Sequence, residues 1–199
     1  MNTPETIISE DGWVTYISDF LSFDLSDDFF HRINNTTNWL QQEIRIFGSM
    51  VPMPRLTAWY GDKESRYTYS GLDNNPLPWT PILLELKQMV EAHTGLSFNS
   101  VLLNLYRNGE DAMGWHRDNE KELGVNPEIV SLSFGVPRKM RFKHANSKEK
   151  KAALELASGS LVWMRGATQH HWYHCIPRTS KEITPRINLT FRTILKKVN

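Results

Sequence analysis

The chain has 199 residues, 40% of them hydrophobic and 11% aromatic, enough for one substantial buried core and a single domain over 1–199. No stretch approaches the about 20 apolar residues of a membrane span, and the N-terminus lacks a basic-then-apolar signal pattern. A single cysteine, Cys175, excludes an intrachain disulfide and a cysteine-built zinc site, and a net charge of +1 excludes an overtly basic nucleic-acid binder.

The expectation is therefore a cytoplasmic protein, or a nuclear one in a eukaryotic host, with no membrane partner. Residues 1–23 read as an irregular lead with a strand in WVTYI, and the first 31 residues hold seven acids and no Lys or Arg. Ser26 is expected to cap a helix through about Asn35, with Leu25, Phe29, Phe30 and Ile33 on one side. EIRIF, 43–47, is strand-like; Phe47 closes it as a core residue would, and GSMVPMPR follows as a loop. GDKESRYTYSGLDNNPLPW, 61–79, is polar and turn-rich, the composition of a functional loop. Within it Tyr67 and Tyr69 alternate as in a short amphipathic strand, with Ser70 beside them. TPILLELKQMVEAHTG, 80–95, predicts a helix with Thr80 as N-cap, Pro81 in the first turn, apolar Ile82, Leu83, Leu86, Met89 and Val90, and Gly95 as its stop. His93 suits the C-terminal end of that helix as a charge, not a ligand.

From residue 101 onward VLLNLY, IVSLSF, RKMRFKH, SLVWM, HHWYHCI and INLTFRT follow one another, separated by Gly, Pro, Asn and Ser. Many short strands behind one helical layer predict a mainly β protein with flanking helices (α+β), its two sheets facing as a sandwich or jelly roll. Residues 138–151, RKMRFKHANSKEKK, hold seven Lys/Arg against one Glu. That density suits either a solvated hairpin or a surface lying along phosphates.

The chemistry centres on VLLNLYRNGEDAMGWHRDNE, residues 101–120. Positions i and i+2 of a strand share a face, so His116 and Asp118 aim an imidazole and a carboxylate at one point. His174, in a second aromatic strand-like run, is the candidate third ligand. Two His and one carboxylate leave coordination positions open, which suits non-haem Fe(II) binding a chelating co-substrate and O₂. Short motifs of this kind also arise by chance. What adds to this one is RINLTFR: on an extended strand Arg186, Asn188, Thr190 and Arg192 share a face. Burying such a row is costly without an anion to satisfy it, and guanidinium forks onto carboxylate. A dicarboxylic keto acid fits, one end on the metal and the other on an arginine. Cys175, beside His174, points to the opposite face as a buried thiol.

HRD, His174 and RINLTFR, together with NLYRNGEDAMGWHRDNEKELG, PEIVSLSFG, MRGATQHHWYH, PRLTAWYGD and YTYSG, resemble the AlkB family of Fe(II)/2-oxoglutarate-dependent nucleic-acid dealkylating dioxygenases over residues 44 to 194. The likeness is strongest to the DNA-repair members. It implies a double-stranded β-helix (jelly roll) with an N-terminal extension, 1–43, and nucleotide-recognition loops, 44–79. It implies Fe(II) on His116, Asp118 and His174, and 2-oxoglutarate held by Asn104, Tyr106, Arg186, Asn188, Thr190 and Arg192. The implied reaction demethylates 1-methyladenine or 3-methylcytosine in DNA, with RNA as an alternative, consuming O₂ and releasing succinate, CO₂ and formaldehyde. Implied substrate contacts are Phe47 as a wedge in the base stack, Arg55, Tyr67, Tyr69, Ser70, His116 by stacking, Asn119 and Glu120. Tyrosines and Glu120 suit a cationic base, and a methylated base that pairs weakly is cheaper to extrude. Asn119 stands where some relatives carry Asp, which removes one negative charge. A monomer is expected. Other classes are the same core acting on RNA or a protein side chain, a non-catalytic nucleic-acid module, which the intact triad argues against, and a zinc hydrolase, which leaves the arginine row without a role.

Overall fold

The computed structural model describes residues 3–46, 48–65, 67–69, 72–181 and 183–195, with 46, 67–69 and 72–74 by backbone alone. In chain order the elements are β1 (Glu5–Ile8), β2 (Trp13–Ile17), α1 (Phe23–Thr36), β3 (Glu43–Ile46), β4 (Ser49–Pro52), β5 (Leu56–Gly61), β6 (Tyr67–Tyr69), β7 (Leu72–Asn74) and α2 (Pro81–Thr94). Then come β8 (Ser100–Tyr106), β9 (Met113–His116), β10 (Ile129–Gly135), β11 (Arg138–His144), β12 (Lys151–Leu156), β13 (Leu161–Arg165), α3 (Thr168–His171), β14 (Trp172–Ile176) and β15 (Arg186–Arg192). Among the described residues no helix is long and apolar enough to cross a membrane.

Alternation builds the larger sheet, seven strands in the order β1-β2-β13-β10-β15-β8-β5. Along β15 and β8, Ile187 pairs with Leu105, Leu189 with Leu103 and Phe191 with Val101. These side chains are buried under α1 and α2, against Phe29, Ile33, Leu83, Leu86 and Val90. Each such burial contributes about 1.5–3 kcal/mol. The intervening residues face the second sheet, four strands in the order β12-β11-β14-β9. Tyr16, Tyr106, Ile129 and Met164 of the larger sheet pack there with Met140, Phe142, Leu156 and Trp172 of the smaller one. Within the two sheets the described strands pair antiparallel, and the two facing sheets form the expected jelly roll.

Local chemistry corrects two expectations. The N-cap of α1 is Ser22, whose side chain accepts from the Leu25 amide, and the helix starts at Phe23. Ser26 is buried inside it and its hydroxyl donates back to the Phe23 carbonyl at 2.9 Å, the bond available to a serine within a helix. In QHHWYHCI the strand starts only at Trp172, because residues 168–171 form the helical turn α3. By contrast α2 runs Pro81–Thr94 with Thr80 as N-cap and Gly95 at φ +72°, the left-handed stop that glycine provides. KAALEL, which the sequence reading passed over, is β12. The lead contributes β1 and β2 to the larger sheet through pairing of β2 with β13.

Candidate metal and co-substrate site

The loop from β8 into β9 decides where His116 lands. Arg138 is 4% exposed at the start of β11 and donates to the carbonyls of Asn108 (3.2 Å), Asp111 (2.9 Å) and Pro177 (2.7 Å). Gly109 approaches the 179–181 backbone so closely that an added Cβ would lie 2.3 Å from the Thr179 carbonyl oxygen. With the loop so fixed, β9 pairs with β14 and sets His116 directly opposite His174. Their ring centroids are 4.1 Å apart. Asp118 lies two residues beyond the end of β9, and its amide donates to the Gln169 side-chain oxygen at 3.0 Å. One ligand atom from each of His116, Asp118 and His174 falls within 4.8 Å of the others, so the three can hold one metal ion.

The electrostatics suit a cation. Asp118 is buried, which raises its pKa, but Arg192 first, then His116 and His174, outweigh this and hold the carboxyl below its usual range. Arg192 Nη2 donates to Asp118 Oδ1 at 2.6 Å. His174 Nε2 stands 3.7 Å from Asp118 Oδ2, too far for a hydrogen bond. Burial, with the neighbouring His116, pulls the His174 pKa down to about 3, so near neutrality the ring is uncharged and one of its nitrogens offers a free lone pair. His116 Nδ1 lies 2.9 Å from the Gly114 carbonyl, the bond that turns Nε2 outward as a ligand.

The polar row of β15 runs away from this cluster between the sheets. Arg186 is 1% exposed and donates Nη2 to the Ser133 hydroxyl at 2.9 Å, while its Nε and Nη1 have no partner. Its guanidinium carbon is 5.1 Å from the Tyr106 ring centroid. Burial pulls Arg186 down to about 10, still charged at neutral pH. A buried cation with two orphaned donors is costly, so the geometry calls for an anion there. Asn188 gives its amide to the Ser131 hydroxyl (2.5 Å) and the Leu132 carbonyl (2.9 Å), and accepts from Thr190 at 3.2 Å. Arg55 is buried and donates Nε to Asn104 Oδ1 at 2.8 Å and Nη1 to the Ala112 carbonyl at 3.4 Å.

A cavity of about 380 Å³ opens beside the triad, lined by its His116 and Asp118 and by Glu120 and Arg192, with Arg55 and Trp59 among its walls. Glu120 Oε2 is buried without a partner, whereas Asn119 is exposed. Phe47 and Ser70 lie outside the described residues, as do the side chains of Tyr67 and Tyr69. The sequence reading missed Ser131 and Ser133, whose alternation in IVSLSFG puts both on one face, and it missed Gln169 and Arg138, which no local pattern distinguishes.

Residues 13–192 match the model of the 2OG-Fe(II) oxygenase superfamily. The chain is similar to bovine DNA oxidative demethylase ALKBH2, 39% identical over 180 residues, covering 85% of this chain and 65% of that protein. It is also similar to human alpha-ketoglutarate-dependent dioxygenase alkB homolog 3, 45% identical over 150 residues, covering 71% of this chain and 52% of that protein. The alignments thus span just under two thirds of the first relative's length and about half of the second's. The solved structure of OsALKBH1 shares the fold, with a TM-score of 0.62 at 17% identity over 95% of this chain and 100% of that one.

Proposed function

The chain belongs to the 2OG-Fe(II) oxygenase superfamily, and on that ground we propose that it is a DNA dealkylase. Its substrates in this reading are 1-methyladenine and 3-methylcytosine, with succinate, CO₂ and formaldehyde as products. The relatives named for DNA demethylation support this choice of polymer. The observation that carries it is the His116–Asp118–His174 cluster, two of whose members line a cavity, with a buried arginine seat for a carboxylate farther along β15.

His116, Asp118 and His174 would hold Fe(II), the family's metal. With 2-oxoglutarate and O₂, that metal supplies the oxidation of an N-methyl C–H bond. The rest is positioning. Arg192 keeps Asp118 ionised and fixes one of its oxygens, leaving the other toward the metal position. Arg186 receives the distal carboxylate of 2-oxoglutarate, with Tyr106 as a wall beneath it. Arg55, just before β5, orients the Asn104 amide of the adjacent β8. Thr190 and Asn188 knit the row to β10 so that it does not relax when empty. Glu120, orphaned in the cavity, faces the methylated base and favours a positive one.

The test reconstitutes the protein anaerobically with Fe(II) and 2-oxoglutarate, admits air, and follows by mass a DNA oligonucleotide carrying one 1-methyladenine. Loss of the methyl mass that requires both co-substrate and an intact His174, judged against His174→Ala, is expected. Turnover of 2-oxoglutarate with no demethylation of that oligonucleotide or a 3-methylcytosine one would overturn the substrate assignment.

A further inference from the structure

The three ligands of the triad are not equally secured. His116 and His174 sit in strands, paired with each other and, for His174, with Phe142 of β11. Asp118 lies past the end of β9, and among the described residues no strand pairs with it. Its backbone is held by Gln169, which is fully buried in α3 and accepts the Asp118 amide at 3.0 Å. The position of α3 therefore sets the position of Asp118.

α3 does not set that position by itself. It has four residues, and Ala167 at its N-cap makes no side-chain hydrogen bond. A single uncapped turn of helix does not hold its shape alone. What holds it is the turn between β1 and β2. Trp13, 155 residues before Thr168, gives its amide to the Thr168 hydroxyl at 2.9 Å, and that hydroxyl donates to the Arg165 carbonyl at 2.6 Å. At the other end of α3, Trp172 Nε1 donates to the Glu10 carbonyl at 3.0 Å.

The turn is shaped for this contact. Gly12, at φ +145°, lies so close to α3 that a Cβ there would stand 2.6 Å from Thr168 Cα. Asp11 before it is at φ +54°, a conformation that a non-glycine residue keeps only where its surroundings impose it. Here they do: Asp11 Oδ2 is 3.2 Å from His144 Nε2 and 3.4 Å from Lys150 Nζ, and Lys150 also reaches Glu10 at 2.5 Å. A turn needed only to join β1 to β2 has no use for so close an approach to a third segment.

We propose that the β1–β2 turn positions the metal site, with Gly12 and Thr168 acting on metal binding by placing Gln169 against the Asp118 amide. The proposal rests on the triad being the metal site and is independent of the substrate.

The test titrates Mn²⁺ into the metal-free chain, following free Mn²⁺ by electron paramagnetic resonance, at a temperature where urea unfolding shows each variant folded. Thr168→Val keeps the side chain's shape and removes the hydroxyl. It should weaken Mn²⁺ binding about tenfold, the low end for groups that orient a ligand. Thr168→Ser, which keeps the hydroxyl, should bind within about twofold of the wild type. Gly12→Ala should weaken binding at least as much as Thr168→Val, because backbone must move to admit the Cβ. In a Gln169→Ala background, Thr168→Val should weaken binding by less than about twofold more, since the hydroxyl acts through Gln169. Leu189→Ala, in the core under α1 and α2, should leave Mn²⁺ affinity unchanged while destabilising the fold, which separates positioning from loss of stability. Thr168→Val binding Mn²⁺ like the wild type, its full effect persisting without Gln169, or an equal loss in Leu189→Ala would each overturn the proposal and leave the triad as the metal site. Only His174→Ala binding Mn²⁺ as tightly as the wild type would overturn the metal reading itself, and this proposal with it.

Discussion

Replacing Arg186 by Gln tests the carboxylate seat most directly. In the protein without co-substrate, Arg186 is a buried cation with Nε and Nη1 unpaired, so the neutral side chain removes a cost and should leave the empty fold as stable or slightly more stable. With 2-oxoglutarate bound the sign reverses. Two hydrogen bonds to a charged group are lost, each about 1.5 kcal/mol, so co-substrate binding weakens by about 3 kcal/mol, roughly 150-fold. Thermal unfolding reads both effects. At 100 times the wild-type dissociation constant, 2-oxoglutarate stabilises the wild type by about 2.7 kcal/mol; a variant binding 150-fold more weakly gains only about 0.3 kcal/mol. For a chain of this length that is a rise of about 5–11 °C against about 1 °C. A variant whose melting temperature still rises by the wild-type amount, or whose empty form is several kcal/mol less stable, would refute the reasoning.

Gln169→Ala removes the acceptor of the Asp118 amide and should weaken metal binding about 10- to 100-fold, read by titration of Mn²⁺ as a redox-stable substitute. The pKa of His174 is lower folded than unfolded, so between pH 6.5 and about 3 the unfolded chain binds the extra proton. Stability without metal should therefore fall on acidification through that window, at up to about 1.4 kcal/mol per pH unit, and His174→Gln should flatten the dependence of the urea midpoint on pH. Asp118, its pKa also lowered, acts in the same direction and leaves a residual slope in that variant. Leu189→Ala, on the helix-facing side of β15, should cost about 2–5 kcal/mol in urea unfolding. A loss under 1 kcal/mol would mean that this face is not packed as described.

The alternation in RINLTFR was enough to put Arg186, Asn188, Thr190 and Arg192 on one face and Ile187, Leu189 and Phe191 on the other, because strand geometry has a period of two wherever the strand lies. The capping and apolar spacing of 80–95 were likewise local, and α2 forms where they indicate. The start of α1 was not legible at its true position, since Ser22 and Ser26 are both competent caps and burial of Ser26 chooses between them. Nor did the aromatic run 168–176 betray the helical turn of α3, which owes its place to Thr168 bonding the Trp13 backbone, 155 residues away.

Residue types and spacing thus specified which groups the site could contain: two imidazoles, a carboxylate and a row ending in two arginines. Their partners were decided in three dimensions. That Arg192 grips Asp118, Arg55 grips Asn104 and Gln169 holds the Asp118 amide follows from contacts between segments 49 to 74 residues apart. No local propensity encodes such contacts, because they exist only once β9, β14 and β15 have taken their registers and the core on both faces of the larger sheet has fixed them.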